Sequence, residues 1–513
     1  MKQSSKIGKW LYQKAKSWHK YLGVGLSLFL IWMSVSGIIL NHPEAVADIG
    51  VPNVLVPDHY RPYEWNRSAM IDAQFIGKDT LFFAGKQGIW RSEDGGKHFY
   101  SERKQGFTTS PFGQKTNDLF YLPQQNKLFA STYQGLWCLD LKQNQWHRVD
   151  LGKYQNHHFV KMIQRQNQLI LVGNSELLQS PIAFPLAFHP LSIKTKEAPF
   201  VDLISYFFAL HSGWLFGLGG RLFMDLMALV LIFLSLTAIY IFLRKGKYFP
   251  FRKTKKSAWL KWSIDNHKQV GVITVIIMLA MGITGMFLRP PLLVALVGGK
   301  VKTSDIPTVF HKNPWYKTIH NATYDQQTDR LILETAKGIY TGKADGSGLF
   351  TPQNWKANVF VMGATVMEKR PNNHYLLGSF YGLKDYHEGD SMAINVLNHR
   401  WEKPYSGVQK PDHFMVTGYF QSPDGQQYFA THYQGLMNVN PVGKVPYKMP
   451  QALIDDYQMP LWNYMFEMHN GRLFSFIVGK YEILIIPLTG LLFFLLNITG
   501  AYEWGYRWWR KRR

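Results

Sequence analysis

The stretch WHKYLGVGLSLFLIWMSVSGIIL, Trp18 to Leu40, returns as NHKQVGVITVIIMLAMGITGMFL, Asn266 to Leu288. His19 meets His267, Lys20 meets Lys268, Gly23 meets Gly271, Val24 meets Val272, Gly37 meets Gly285 and Leu40 meets Leu288, all at one offset of 248 residues. A single offset shared by six pairs is the mark of a duplication. Each copy carries an uncharged apolar run, and about 20 helical residues suffice to cross a bilayer core. Two more such runs, Leu226–Leu243 and Ile483–Tyr502, join Tyr21–Leu40 and Gln269–Leu288. The expectation is a membrane protein with four spans, the last kinked at Pro487, which neighbouring helices tolerate.

The 513 residues carry a formal net charge of +23. Its placement argues against nucleic acid as the partner. Residues 1–20 hold six Lys and no acid, 244–261 hold eight Lys or Arg and no acid, and 507–513 hold five. These nineteen charges flank spans, so the positive-inside rule puts both termini and the 244–268 loop in the cytoplasm. Basic flanks of this kind sit on anionic lipid headgroups. The N-terminus imitates a signal peptide, with a basic lead, an apolar run and Ala45-Val46-Ala47 after it. The run is long, and its copy lies deep in the chain, so it reads as a retained anchor. Cys138 is the single cysteine, which excludes an intramolecular disulfide.

The second spans match as well. L-H-S-G-W-L-F at 210–216 answers M-H-N-G-R-L-F at 468–474, pairing His211 with His469, Gly213 with Gly471 and Leu215 with Leu473. L-T-A-I-Y at 236–240 answers I-T-G-A-Y at 498–502, with four more residues in between in the second copy. The expected plan is a basic N-terminus (1–20), a first span (21–40), an external β segment (41–200), and a pre-membrane His segment with the second span (201–243). A basic loop (244–268), a third span (269–288), a second β segment (289–460), a second His segment with the fourth span (461–502) and a basic tail (503–513) follow. Two spans per half make the halves parallel repeats about an axis along the membrane normal.

The external segments repeat too. K-Q-G-I-W (86–90) resembles A-K-G-I-Y (336–340), and F-A-S-T-Y-Q-G-L-W (129–137) resembles F-A-T-H-Y-Q-G-L-M (429–437). Short β-rich runs separated by Asp94-Gly95-Gly96, Asp345-Gly346 and Asp424-Gly425 read as hairpins. Ser92 to Phe99 resembles an Asp-box, with Asp capping the turn, glycines at positive φ and the aromatic beneath. Ser422 to Gly425 is a weaker copy. The fold class expected is an α-helical membrane protein with a large all-β region, propeller-like and assembled from both halves; two separate β-domains are the alternative.

Four histidines stand at span boundaries in duplicated pairs: His19 with His267 at one membrane face, His211 with His469 at the other. A lone interfacial His is a polar flank. Two repeat-matched pairs point instead to axial ligation of haem iron. Every span carries a Ser/Thr followed by Gly/Ala at the end opposite its own His: Ser36-Gly37, Thr237-Ala238, Thr284-Gly285 and Thr499-Gly500. His19 and His267 then face spans two and four, and His211 and His469 face spans one and three, with the small residues making room for a flat macrocycle; the alternative is that they simply let helices approach closely, which leaves their alternation with His unexplained. Other features carry less. His42 reads as a solvated flank, His157-His158 as surface, and Met278, Met281 and Met286 as core filling. No Walker loop, G-x-G-x-x-G or H-E-x-x-H is present, and no acid pair for a glycosidase is legible.

The H-x-x-x-G start of spans one and three, the L-H-x-G-x-L segment before spans two and four, and the terminal T-G resemble the PepSY-associated transmembrane family. The resemblance covers the membrane part; propeller-like repeats stand where a PepSY domain would be. It implies a multi-pass protein of the bacterial inner membrane related to iron-regulated proteins and haem-containing ferric-siderophore reductases. On that reading two b-type haems are held by His19 with His267 and by His211 with His469. Electrons would pass from an unidentified cytoplasmic donor to a periplasmic ferric-siderophore or redox partner, the cofactors supplying the redox chemistry. His19 and Ser36 are 17 residues apart, about 25 Å of helix, so intervening aromatics such as Trp32 would shorten the path. The rival expectation is a non-enzymatic sensor or scaffold that binds through its β region.

Overall fold

The computed structural model describes residues 2–196, 200–245, 257–306, 313–404 and 409–512. Most of the basic loop expected at 244–268 lies outside them. The chain divides into two compact units: Met1–Val46, Ala198–Lys312 and Trp462–Arg513 in one, Ala47–Glu197 and Asn313–Leu461 in the other.

Among the described residues the helices are α1 (Lys2–Asn41), α2 (Leu203–Ser212), α3 (Gly217–Lys245), α4 (Ala258–Phe287), α5 (Gln451–Asp455), α6 (Leu461–His469), α7 (Ser475–Val478) and α8 (Ile485–Lys511). Four helical stretches, each including one of α1, α3, α4 and α8, are long and apolar enough to cross a membrane. They pack as a ring in which α1 and α4 each lie against both α3 and α8. Leu26, Leu30, Met227, Leu231, Met278 and Phe493 form its dry centre, while Leu28, Ile273 and Ile276 are exposed on its outside, where lipid covers them. A Cβ on Gly490 would lie 2.7 Å from Met286 Cβ, and one on Gly282 3.0 Å from the Phe493 ring. Glycine at these two positions sets the close approach of α4 and α8. Hydroxyls within the spans bond backward to their own helix, as Ser34 does to the Leu30 carbonyl at 2.8 Å and Thr274 to that of Val270 at 2.8 Å, so these hydroxyls are satisfied without a partner from outside the helix.

Two expectations are corrected here. Pro487 does not kink a span: α8 starts at Ile485, so the proline sits in the first turn, where its missing N–H breaks no helical bond. His42 is not a solvated flank. Its Nε2 lies 2.7 Å from Asp225 Oδ2, whose other oxygen accepts from Asn41 Nδ2 at 3.0 Å. Asp225 immediately precedes the apolar run of the second span, and its half-buried charge finds partners one helix away.

Among the described residues of the other unit, six antiparallel sheets of four or five strands succeed one another. Their first strands, Asp72–Ile76, Thr116–Leu122, Phe159–Arg165, Ile319–Asp325, Val366–Lys369 and Val416–Gln421, neighbour one another in that order, and the last returns to the first. This is a six-bladed β-propeller with three blades from each half of the chain. The second strand of each blade is buried on both faces, as in Thr80–Gly85, Lys127–Thr132 and Gln168–Gly173. Apolar residues there run on without alternation, as sandwiched strands do. The halves join through two mixed cores: Val172 and Leu177 with Trp315 and Leu331, and Phe83 and Trp90 with Phe420 and Tyr428. The Asp-box forms as expected: the Lys97 and His98 N–H groups both donate to Asp94 Oδ1 at 3.0 Å, and Phe99 stacks on Phe83 at 4.8 Å.

Neighbouring blades are laced by side chains of the first strands. Asp72 Oδ2 accepts from the Leu119 N–H at 2.7 Å, Asp118 Oδ2 from that of Met162 at 2.9 Å and Thr323 Oγ1 from that of Lys369 at 3.2 Å. Lys161 Nζ lies 3.2 Å from Asp118 Oδ1. Burial, then the charge of Asp118, pushes the Asp72 carboxyl up to about 7. A carboxyl raised on folding holds its proton in the folded chain after the unfolded chain has lost it. Its contribution to stability is therefore full below about pH 4 and lost as the pH rises through about 7. Asp72→Asn keeps an oxygen for the Leu119 N–H, and should flatten the fall in stability between pH 4 and 7 seen in denaturant unfolding of the parent. An unchanged slope would contradict this role.

Candidate functional site

The four duplicated histidines meet in two pairs. The ring centroids of His19 and His267 are 6.3 Å apart with the planes at 71°, and those of His211 and His469 are 6.3 Å apart at 59°. At these angles neither pair is stacked. Each ring comes from one helix and rests on another at its Ser/Thr-Gly/Ala step. His267, on α4, places Nδ1 2.8 Å from Thr237 Oγ1 of α3. His211, at the end of α2, lies 3.1 Å from Thr284 Oγ1 of α4, and His469, at the end of α6, lies 2.8 Å from Ser36 Oγ of α1. His19, on α1, reaches the Leu496 carbonyl of α8 at 3.0 Å, one turn before Thr499.

These contacts decide the tautomer. Ser36 Oγ already donates to the Trp32 carbonyl at 2.9 Å, Thr237 Oγ1 to that of Phe233 at 2.8 Å and Thr284 Oγ1 to that of Ala280 at 2.8 Å. A hydroxyl has one proton. With that proton spent on its own helix, it can only accept from the imidazole. A carbonyl likewise only accepts, so Nδ1 carries the proton in all four rings. The lone pair of each ring then sits on Nε2. A metal-ligating His is oriented in this way, its second nitrogen donating to an oxygen.

At two of the four steps the small residue makes room for an imidazole. A Cβ on Gly500 would stand 2.7 Å from His19 Cε1, and one on Gly285 2.9 Å from His211 Cε1. At Gly37 the nearest atom, His469 Cε1, would be 3.6 Å away, an ordinary contact. The fourth step carries Ala238 already.

The pair spacing can be tested against a bound metal. Metal–imidazole bonds of about 2 Å, added to a ring radius of about 1.2 Å on each side, put two trans imidazoles about 6 Å apart between centroids. Both pairs fit. Two nitrogens do not complete a coordination sphere, and no group of three or more His, Cys, Asp or Glu that could hold a metal ion occurs among the described residues. The donor set therefore suits an iron whose other four ligands come from a macrocycle, as in haem. On α4 His267 and Thr284 are 17 positions apart, about 25 Å of helix, and the apolar centre around Met278 and Phe493 fills that length. Trp32 borders this region, and its indole Nε1 is buried without a hydrogen-bond partner among the described residues.

The PepSY-associated TM region model matches residues 16–512. The chain belongs to the PepSY-associated TM family. No curated protein matches it in sequence. Among solved structures, the extracellular domain assigned to a one-component system of B. thetaiotaomicron is similar at 10% identity and a TM-score of 0.36, covering 72% of this chain and 32% of that one. YCF48 from Cyanidioschyzon merolae is similar at 9% identity and a TM-score of 0.32, covering 71% and 93%. This PepSY-associated TM protein thus spans about a third of the first of these. Resemblance at that level carries no argument.

Packing alone separates the glycines. Gly285→Ala and Gly500→Ala should each cost about 1–3 kcal/mol through overpacking, while Gly37→Ala should be neutral or stabilising, since alanine favours helix. Thermal unfolding of the three variants in detergent compares them; equal melting temperatures would show that the rings are free to move aside.

Proposed function

We propose that this chain is a two-haem electron-transfer protein of a bacterial inner membrane, with both termini cytoplasmic and the propeller periplasmic. His19 and His267 hold one b-type haem, His211 and His469 the other. Single electrons pass from a cytoplasmic one-electron donor to a periplasmic oxidant, a ferric-siderophore by family, whose iron leaves as ferrous. The observation that carries this reading is the pair geometry: four imidazoles, each with Nδ1–H committed to an oxygen, meeting two by two at 6.3 Å. The nineteen cations flanking the spans support the orientation.

When bound, haem supplies a centre that cycles between ferric and ferrous states one electron at a time. The chain's own residues do the rest. The Nε2 lone pairs present two ligands per site at a fixed distance. The hydroxyls and the Leu496 carbonyl hold the rings against rotation and raise the basicity of the ligating nitrogens. The apolar centre, with Met278 almost fully buried, keeps water and protons out of the space between the sites.

Reduced-minus-oxidised absorption spectra of protein purified from haem-replete cells test the reading. His19→Ala and His267→Ala should remove or convert to high spin the same spectral component, and His211→Ala and His469→Ala the other. Normal spectra in all four variants would make these histidines structural, and wild-type protein without haem would leave the sensor or scaffold reading in place.

A further inference from the structure

We propose that Arg221 and Arg289 bind the carboxylate tails of the macrocycle held between His211 and His469. This rests on the two-haem reading. A macrocycle lies across the line joining its two axial ligands. His211 rests on α4 and leads into α3, whereas His469 rests on α1 and leads towards α8. The line between them runs from the α3–α4 side of the bundle to the α1–α8 side. A group held between them would face the two remaining helix contacts, α1 with α3 and α4 with α8.

One guanidinium bridges each of those contacts. Arg221, on α3, donates to the Asn41 carbonyl on α1 and lies 4.2 Å from the Trp214 ring. Arg289, two residues beyond α4, donates through Nη2 to Glu482 Oε2 at 2.7 Å, just before α8. The residue that receives Arg221 and the residue that bears the other guanidinium are repeat mates, since Asn41 and Arg289 share the offset of 248. Each follows by four residues, about 6 Å of helix, the glycine against which an imidazole of this pair packs: Gly37 for His469 and Gly285 for His211. Both guanidiniums thus stand one turn from the ligand pair, towards the helix ends.

Both also have a donor to spare. Arg221 Nε and Arg289 Nε are buried without a hydrogen-bond partner among the described residues. Asp225 is not the partner of the first: its oxygens accept from Asn41 and His42, and Arg221 Nε reaches neither. Glu482 engages Nη2 of the second and leaves Nε open. A buried donor of this strength is costly to leave unmet, and a guanidinium edge matches a carboxylate with two parallel bonds. Porphyrins of the b type carry two such groups on adjacent pyrroles, one for each arginine.

The test uses full-length protein with both haems. Arg221→Gln and Arg289→Gln are titrated for the midpoint potential of each component and for the rate of haem loss to apomyoglobin. Each variant should lower the potential of the His211/His469 component and speed its haem loss about tenfold or more, with the His19/His267 component unchanged as the internal control of folding. Arg→Lys should restore the potential but not the retention. Wild-type potential and retention in both Gln variants would overturn the inference and leave the two-haem reading standing; haem-free wild type would overturn the reading itself. If a variant loses both components, wild-type apoprotein loaded with the dimethyl ester of haem decides. Rapid loss of the ester from the His211/His469 site supports the inference, and retention equal to that of haem refutes it.

Discussion

A hydroxyl that gives its proton to its own helix and accepts one from an imidazole recurs at Ser36, Thr237 and Thr284. It ties two helices together through a single oxygen, in surroundings without water to compete. It also orients a ring and assigns its proton. At the fourth position Thr499 donates to the Leu495 and Leu496 carbonyls at 2.8 and 2.9 Å, and His19 donates to the latter. The chemistry is the same with the carbonyl as acceptor. Each of the four rings is held to a neighbouring helix by its Nδ1–H, and held so the rings of each pair lie 6.3 Å apart.

Duplication makes the arrangement self-consistent. Because α1 and α4 are copies, a contact from α1 to α8 implies one from α4 to α3, and His19 on Leu496 is answered by His267 at Thr237. The same exchange relates His211 on Thr284 to His469 on Ser36. A ring pair across the symmetry axis then needs no residue of its own beyond the repeat. Departures from symmetry lie nearer the helix ends, where His42 and Asp225 in one half face Arg289 and Glu482 in the other.

Much of this was legible in the residues. The offset of 248 and the alternation of His with Ser/Thr-Gly/Ala were enough to place which spans face which histidines, because helix periodicity and a bilayer leave few ways to arrange them. Which glycines an imidazole needs was not: that depends on distances of a few tenths of an ångström, as Gly500 and Gly37 show. The apolar run from Ile483 carries no sign that α8 starts only at Ile485, which puts Pro487 in its first turn. Asp225 was passed over as the boundary of a span, so the partner of His42 went unseen. In the propeller, only blades with a strong turn motif announce themselves. The bonds that lace blades together, from Asp72, Asp118 and Thr323, join strands tens of residues apart, and no local pattern reports them.

The central claim is that each histidine pair straddles an iron atom. A cryo-electron microscopy map of the purified wild-type protein, at a resolution that shows side chains, addresses it without any variant. The account predicts flat density perpendicular to each His–His line, with its strongest peak midway between the two Nε2 atoms, once between His19 and His267 and once between His211 and His469. Side chains or water filling both gaps, or histidines turned so that Nδ1 faces the partner, would contradict it.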